Sequence, residues 1–322
     1  MTTTAIDPDK APDFEVVPIP GPLGAEIRGL DLRKLNAATF GRLHAAWLQN
    51  LLLLIRGQTM TPEDLVTLIK FFGTPVSSSN LHQRDLKERT ANALFNLPPE
   101  VTVVTNLKQD GKPVGILGDG ELSWHLDFSF KERPTAARML VAIDVPPLEK
   151  GGNTQFLNAC AAYDALPDAL KRRISGKTIK QGNIVDTAMK LRPGASLDED
   201  IRTTPGPSHP IIATHPLTGA NILFLGRRHA AYVNGMTLED SEALLNELWA
   251  HCTQPRFIYE HHWQKGDVVV WDNHATLHRR DAFDAQERRV LYAAQVEGPR
   301  PVEAPDALSR APHGRAAHVA SH

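Results

Sequence analysis

Cysteine is scarce in this 322-residue chain: Cys160 and Cys252 are the only two, far apart and in no metal-binding spacing. A reducing, cytoplasmic compartment is expected, which fits the two cysteines better than a disulfide framework. Long apolar runs are missing too. No segment approaches the roughly 18 consecutive apolar residues that a membrane-spanning helix needs. The opening residues MTTTAIDPDKAPDF carry neither a basic flank nor an apolar stretch, so they are not expected to act as a secretory signal. Charge of one sign is absent as well. With 35 Lys+Arg against 37 Asp+Glu the formal net charge is −2, and no basic stripe interrupts the balance. A nucleic-acid partner and an anionic membrane surface are therefore not expected. Internal repeats and an evident linker are also lacking, which points to one domain.

What is present is an ordinary globular composition, 42% hydrophobic and 22% charged, sufficient for a substantial core. FEVVPIP and LGAEIRGLDL read as two short strands separated by Pro20-Gly21-Pro22. Phe40, Leu43, Trp47 and Leu48 step at helical spacing behind a candidate cap at Asn36. Leu51 to Ile55 reads as a buried strand. Thr61, Pro62 and Asp64 mark the start of a second helix that ends at Gly73. Pro75 to Leu97 is irregular, and Val101–Thr105 and Ala137–Ile143 read as strands. Asn158 is a candidate cap for a short helix, and Pro167 starts another. Gly176 to Pro210 has the composition of a long loop placed to cover a site. IIATHP and NILFLG follow as strands, then a helix over Thr237–His251, then strands PRFIYEHHW, DVVVWD and RVLYAAQV. The pattern predicts a mainly β protein with helices (α+β), its core a sandwich or barrel. Residues 14–299 would form the domain, with flexible tails at 1–13 and 300–322.

The stretch WHLDFSF, Trp124 to Phe130, places a histidine and an aspartate two apart among aromatic residues. On a strand, residues i and i+2 share a face, so His125 and Asp127 would present an imidazole and a carboxylate to one point. HxD also recurs by chance, as a polar pair at a strand end. VVVWDNHATLHRR raises the metal reading, because His274 and His278 follow a buried-type strand and either could be a third ligand. Two histidines and one carboxylate with open positions suit non-haem Fe(II). Gly151-Gly152-Asn153-Thr154 adds a tight turn and a hydroxyl. Arg288-Arg289 adds guanidinium groups suited to a carboxylate. His261 and His262 are adjacent on a strand and would face opposite sides. Trp124, Phe128, Phe130 and Trp271 read as core.

Taken together, WHLD, GGNT, WDN with a histidine five residues on, and an arginine at the next strand resemble the taurine/2,4-dichlorophenoxyacetate dioxygenase family. The resemblance runs from about Phe14 to Pro299. It implies a double-stranded β-helix (jelly-roll) core with flanking helices, Fe(II) as metal, 2-oxoglutarate as cosubstrate and O2 as oxidant. It assigns the metal ligands to His125, Asp127 and His278, and the 2-oxoglutarate clamp to Thr154 and Arg289. Asn153 stands where the family has Asp. The family often holds an anionic substrate group with a further arginine at the position occupied here by Ala293. Lys108, Arg227 and Arg228 are the candidate replacements for that substrate contact.

VTNLKQDGK, FLGRRHA and LHAAWLQ are similar to the branch that cleaves (S)-phenoxypropionate herbicides. That similarity implies hydroxylation beside the ether oxygen and collapse to a phenol and a 2-oxo acid, with release of succinate and CO2. Other expected substrates are a sulfonate such as taurine, a sulfate ester or an aliphatic carboxylate. The non-enzymatic alternative is a metal-binding jelly-roll sensor. The resemblance implies a small anionic substrate as partner, and a homo-oligomer is expected.

Overall fold

The computed structural model describes residues 14–77, 95, 97–192, 194–196, 200–226, 230–305 and 308. Its spine is an eight-stranded mixed sheet. The order across it is Glu15–Pro18, Ala25–Arg28, Leu52–Ile55, Val268–Asp272, Thr135–Asp144, Val290–Glu297, Thr102–Thr105 and Ile116–Leu117. A four-stranded sheet lies against it, in the order Ile258–His261, Thr154–Asn158, Thr276–Arg280 and Leu122–His125.

The continuous apolar runs follow from burial on both faces of the large sheet. Leu53, Ile55, Val268, Val270, Met139 and Val141 face the helices Ala37–Asn50 and Pro62–Phe72. Their alternate neighbours Leu52, Leu54, Val269, Trp271, Leu140 and Ala142 face inward, toward Phe156 of the small sheet. A strand buried on both sides has no reason to alternate polar with apolar. Behind the small sheet, a third cluster packs the helices Ala159–Asp164 and Leu238–Cys252 against Leu277, Leu157 and Leu126. The arrangement is the two-sheet jelly-roll sandwich that the family resemblance implies, with helices on the outside.

Local signals hold at the helices. Asn36 accepts from the Thr39 amide, and Thr61 and Asp64 form a reciprocal capping box. Thr237 caps the last helix, although Leu238 is exposed while Leu244, Leu245 and Leu248 are buried.

Two expectations change. The segment expected as a loop over Gly176–Pro210 contains strands Thr178–Gln181 and Ser208–Pro210, paired antiparallel and joined by Ala231–Val233. Long-range pairing of this kind leaves no local periodicity to detect. Val302–Glu303, assigned to the C-terminal tail, instead pairs with Ile212–Thr214. Much of the irregular Pro75–Leu97 segment, residues 78–94 and 96, lies outside the described residues.

Candidate metal centre and its anion pocket

His125 is the last residue of Leu122–His125, and His278 is its partner across the ladder. Their rings are 4.2 Å apart. Asp127 is not on the strand. The chain turns after Leu126, and Phe128 takes a left-handed φ of 57°. Strand alternation, the reason offered for pairing His125 with Asp127, is thus corrected: the turn brings the carboxylate back. Asp127 Oδ1 lies 3.7 Å from His125 Nε2, and its Oδ2 lies 3.5 Å from His278 Nε2. One ligand-type atom from each of the three residues falls within 4.8 Å of the others.

Each arm is held differently. His125 Nδ1 sits 2.8 Å from the Ser123 carbonyl, to which it donates, and this leaves Nε2 as the nitrogen that faces Asp127. His278 is held by packing: Phe156 stacks on it at 6.2 Å and Trp271 meets it edge-on at 4.9 Å. Burial drives its pKa well below the ordinary histidine value, with His125 adding to the effect. The turn at Asp127 is clamped by Asn273. Asn273 Oδ1 accepts from the Asp127 amide at 3.0 Å, and its Nδ2 donates to the Asp127 and Thr135 carbonyls.

His274, the rival third ligand, points elsewhere. It packs with Asp272 and His215, and His215 Nε2 donates to Asp272 at 2.6 Å. The next residue pair is also resolved by register. His261 is fully buried against Asp267, whereas His262 is exposed and bonds Glu260. Trp271 is core as expected, while Phe128 and Phe130 are half-buried and meet edge-on beside Asp127.

Two cations are buried on the strand of His278 and just before the strand that follows it, Arg280 and Arg289. Thr154 is buried, accepts from Trp263 Nε1 at 2.9 Å, and stands opposite Arg280 in the ladder. Arg289 is 2% exposed and its Nε is buried with no acceptor. Its amide is fixed by Asn106 Oδ1 at 3.1 Å. Burial, reinforced by Arg280, pushes the Arg289 pKa well below its ordinary range. Arg280 is 3% exposed, donates to the Leu117 and Gly120 carbonyls, and leaves Nε and Nη1 buried without acceptors. Burial brings its pKa down to about 10.

Neither arginine forms an ion pair with a carboxylate among the described residues. A Cβ at Gly152 would lie 3.5 Å from the Arg289 side chain, so the glycine turn fits closely around that guanidinium.

Of the other residues singled out, Arg288 is exposed and pairs with Asp144. Lys108 is exposed in a hairpin with Lys112–Pro113, and no hydrogen bond or ion pair joins it to the triad. Arg227 and Arg228 lie outside the described residues. Sequence reasoning passed over Asn273, Arg280 and Arg138. Arg280 had a signal, being two residues past His278 on one strand and hence on the same face. Arg138 had one too, as the one basic residue inside the largely apolar strand TAARMLVAID.

Two histidines and a carboxylate between the sheets of a jelly roll, with Arg280 buried on the same strand as His278, are a donor set that suits a mononuclear non-haem metal enzyme. Residues 15–295 match the family described as taurine catabolism dioxygenase TauD, TfdA family. The chain is 32% identical over 292 residues to the (S)-phenoxypropionate/alpha-ketoglutarate-dioxygenase of Delftia acidovorans, spanning 88% of this chain and 95% of that protein. It is also 32% identical over 291 residues to pentalenolactone F synthase of Streptomyces arenae, spanning 86% and 93%. Among solved structures, AAD-2 in complex with Mn(II) and N-oxalylglycine is similar with a TM-score of 0.72 and 27% identity. That likeness covers 90% of this chain and 98% of the other. The chain belongs to the TauD/TfdA family, and it is an Fe(II)- and 2-oxoglutarate-dependent dioxygenase that uses O2.

Proposed function

We propose that His125, Asp127 and His278 hold the iron, that Arg289, Thr154 and Arg280 hold the far carboxylate of 2-oxoglutarate, and that the substrate is an aryloxyalkanoate. The observation that carries the cosubstrate assignment is the pair of buried guanidinium groups with no carboxylate to meet them among the described residues. A buried charge without its partner costs about 3–5 kcal/mol. A dicarboxylate entering between the metal and these arginines removes that cost. The orphaned Nε of Arg289, and Nε and Nη1 of Arg280, are the donors that fit it.

When bound, the iron and cosubstrate supply oxygen activation coupled to decarboxylation, yielding succinate and CO2. The protein's own contribution is orientation and dryness. His125 is fixed in one tautomer, His278 is kept neutral by burial, and Phe156 and Trp271 exclude water from its ring. The aryloxyalkanoate reading is supported by the Delftia acidovorans relative, whose name specifies (S)-phenoxypropionate. A second reading, the same chemistry on another organic substrate, is favoured by the equal identity to pentalenolactone F synthase. A cytoplasmic location is supported by two buried, unpaired cysteines.

A succinate-release screen tests the proposal, using both phenoxypropionate enantiomers, phenoxyacetate, a sulfonate, a sulfate ester and an aliphatic carboxylate. The expected result is substrate-dependent succinate with the aryloxyalkanoates, and release with the others alone would overturn the substrate class. Anaerobic Fe(II) with 2-oxoglutarate should give a weak visible charge-transfer band. Its absence in the wild-type protein would overturn the metal and cosubstrate assignments.

A further inference from the structure

Arg138 lies on Thr135–Asp144, opposite Gln295 on one side and Trp271 on the other. The next residues on its face, Leu140 and Ala142, belong to the inter-sheet cluster that also contains Ala293, Trp271 and Phe156. Arg138 therefore projects into the space between the sheets, where the triad sits. Ala293 pairs with Leu140, which makes Arg138 its diagonal neighbour across the ladder.

The Arg138 guanidinium is only partly satisfied. Its Nε lies 3.1 Å from Asp127 Oδ2, and its Nη1 donates to Gln295 Oε1 at 2.8 Å. The side chain is 11% exposed. A guanidinium offers five N–H groups, and its two-nitrogen edge matches a carboxylate or sulfonate. Here the closest approach to Asp127 is through Nε, with poor hydrogen-bond alignment. No acceptor among the described residues meets Nη2. If Arg138 served only to fix Asp127, a two-point contact with both oxygens would be the stronger arrangement. Sharing Asp127 with a metal also withdraws charge from the one carboxylate Arg138 touches.

We infer that Arg138 is the anchor for the anionic group of the substrate and a determinant of specificity; this rests on His125, Asp127 and His278 being the iron site. An anchor beside an iron ligand places the carbon next to the acid group nearest the metal. The site is thereby selective for acids oxidised at that carbon, as cleavage of an aryloxyalkanoate requires. Long acids oxidised far from their carboxylate fit it poorly.

The test compares wild type with Arg138→Lys, Arg138→Gln and the double variant Arg138→Gln/Ala293→Arg. The substrates are the screened acids, each beside its neutral amide or ester. For Arg138→Gln the KM of the acid should rise by roughly a hundredfold, consistent with loss of a buried charge pair. The KM of the neutral counterpart should change little, as should that of 2-oxoglutarate. Arg138→Lys should fall between, and the double variant should recover at least part of the preference for acid over amide.

An unchanged acid-to-amide preference in Arg138→Gln, with wild type active on the acid, overturns this inference alone. Loss of the Fe(II)–2-oxoglutarate band in both single variants overturns it too, because Arg138 would then be a residue that positions Asp127. Wild type that forms the band but consumes only neutral compounds, or none of the panel, overturns the acid-substrate reading and the inference with it. Wild type without the band overturns the metal assignment.

Discussion

A buried arginine is a statement about what has to arrive. Arg289 has no carboxylate partner among the described residues, yet its surroundings are complete. Trp263 and Phe283 flank the guanidinium at 5.9 and 5.8 Å, Gly152 lies against its stem, and Asn106 fixes its amide. The side chain is pre-ordered, so little entropy is lost when an anion binds. Arg289→Ala should raise the KM for 2-oxoglutarate by roughly two to three orders of magnitude, corresponding to the unpaired-charge cost and tenfold per 1.4 kcal/mol. Arg280→Met should raise it less, because the carbonyls of Leu117 and Gly120 already take part of that guanidinium. Steady-state titration of 2-oxoglutarate checks both, and an unchanged KM in Arg289→Ala would remove Arg289 from the clamp. At this scale Asp127 and Asn273 form one unit: the side chain that should bind metal is aimed by an amide clamp on its own backbone.

At the scale of elements, the site depends on where strands stop. Leu122–His125 ends at the first proposed ligand, and the turn that follows delivers the second. Two strands away in the same sheet, Gly151 and Gly152 adopt φ of 86° and 84° and lead into the strand that begins at Thr154. A Cβ at Gly151 would come within 2.5 Å of the Ala282 carbonyl. Gly151→Ala therefore combines a left-handed backbone with a backbone clash, costing on the order of 1–3 kcal/mol each. The expected result is a lower urea midpoint together with a higher 2-oxoglutarate KM, since the same turn positions Thr154 and lies against Arg289. A variant with wild-type midpoint and KM would show that the turn is not constrained in this way.

For the whole molecule, several histidines are buried in their neutral form. Burial lowers the pKa of His209, His261 and His274 below the ordinary value. In the unfolded chain they titrate near about pH 6.5. The unfolded state thus binds more protons as pH falls through that value toward the lower folded ones, and stability must drop in this window. Asp272 adds a second loss at lower pH. Burial is its largest influence and acts upward, but the charge and hydrogen bond of His215 bring its pKa below the usual carboxylate range. Its contribution is complete above about pH 3.9 and is lost as pH falls through the folded value. Calorimetry of the metal-free protein should give a lower Tm at about pH 5.5 than at about pH 7.5, the side of the histidine window where they are neutral in both states. An equal or higher Tm at the acid pH would contradict this account.

Much of this was legible in the residues alone. Caps at Asn36, Thr61 and Thr237, and apolar runs such as Leu52–Ile55, are local signals, and local chemistry determines them. The composition set the class: a globular chain with no spanning helix among the described residues and no excess charge. The chemical types at the site were legible too, because WHLD, GGNT and WDNHATLH name the groups that a metal and a carboxylate need. Geometry was not. Choosing His278 over His274 from the residues took a resemblance, because only register across the ladder sets one toward Asp127 and the other toward Asp272. Arg138, Arg280 and Asn273 acquire meaning only when strands far apart in sequence become neighbours. Sequence patterns record what each residue does to its own backbone, whereas a binding site is made of contacts between strands, and those are decided by pairing and burial in the folded chain.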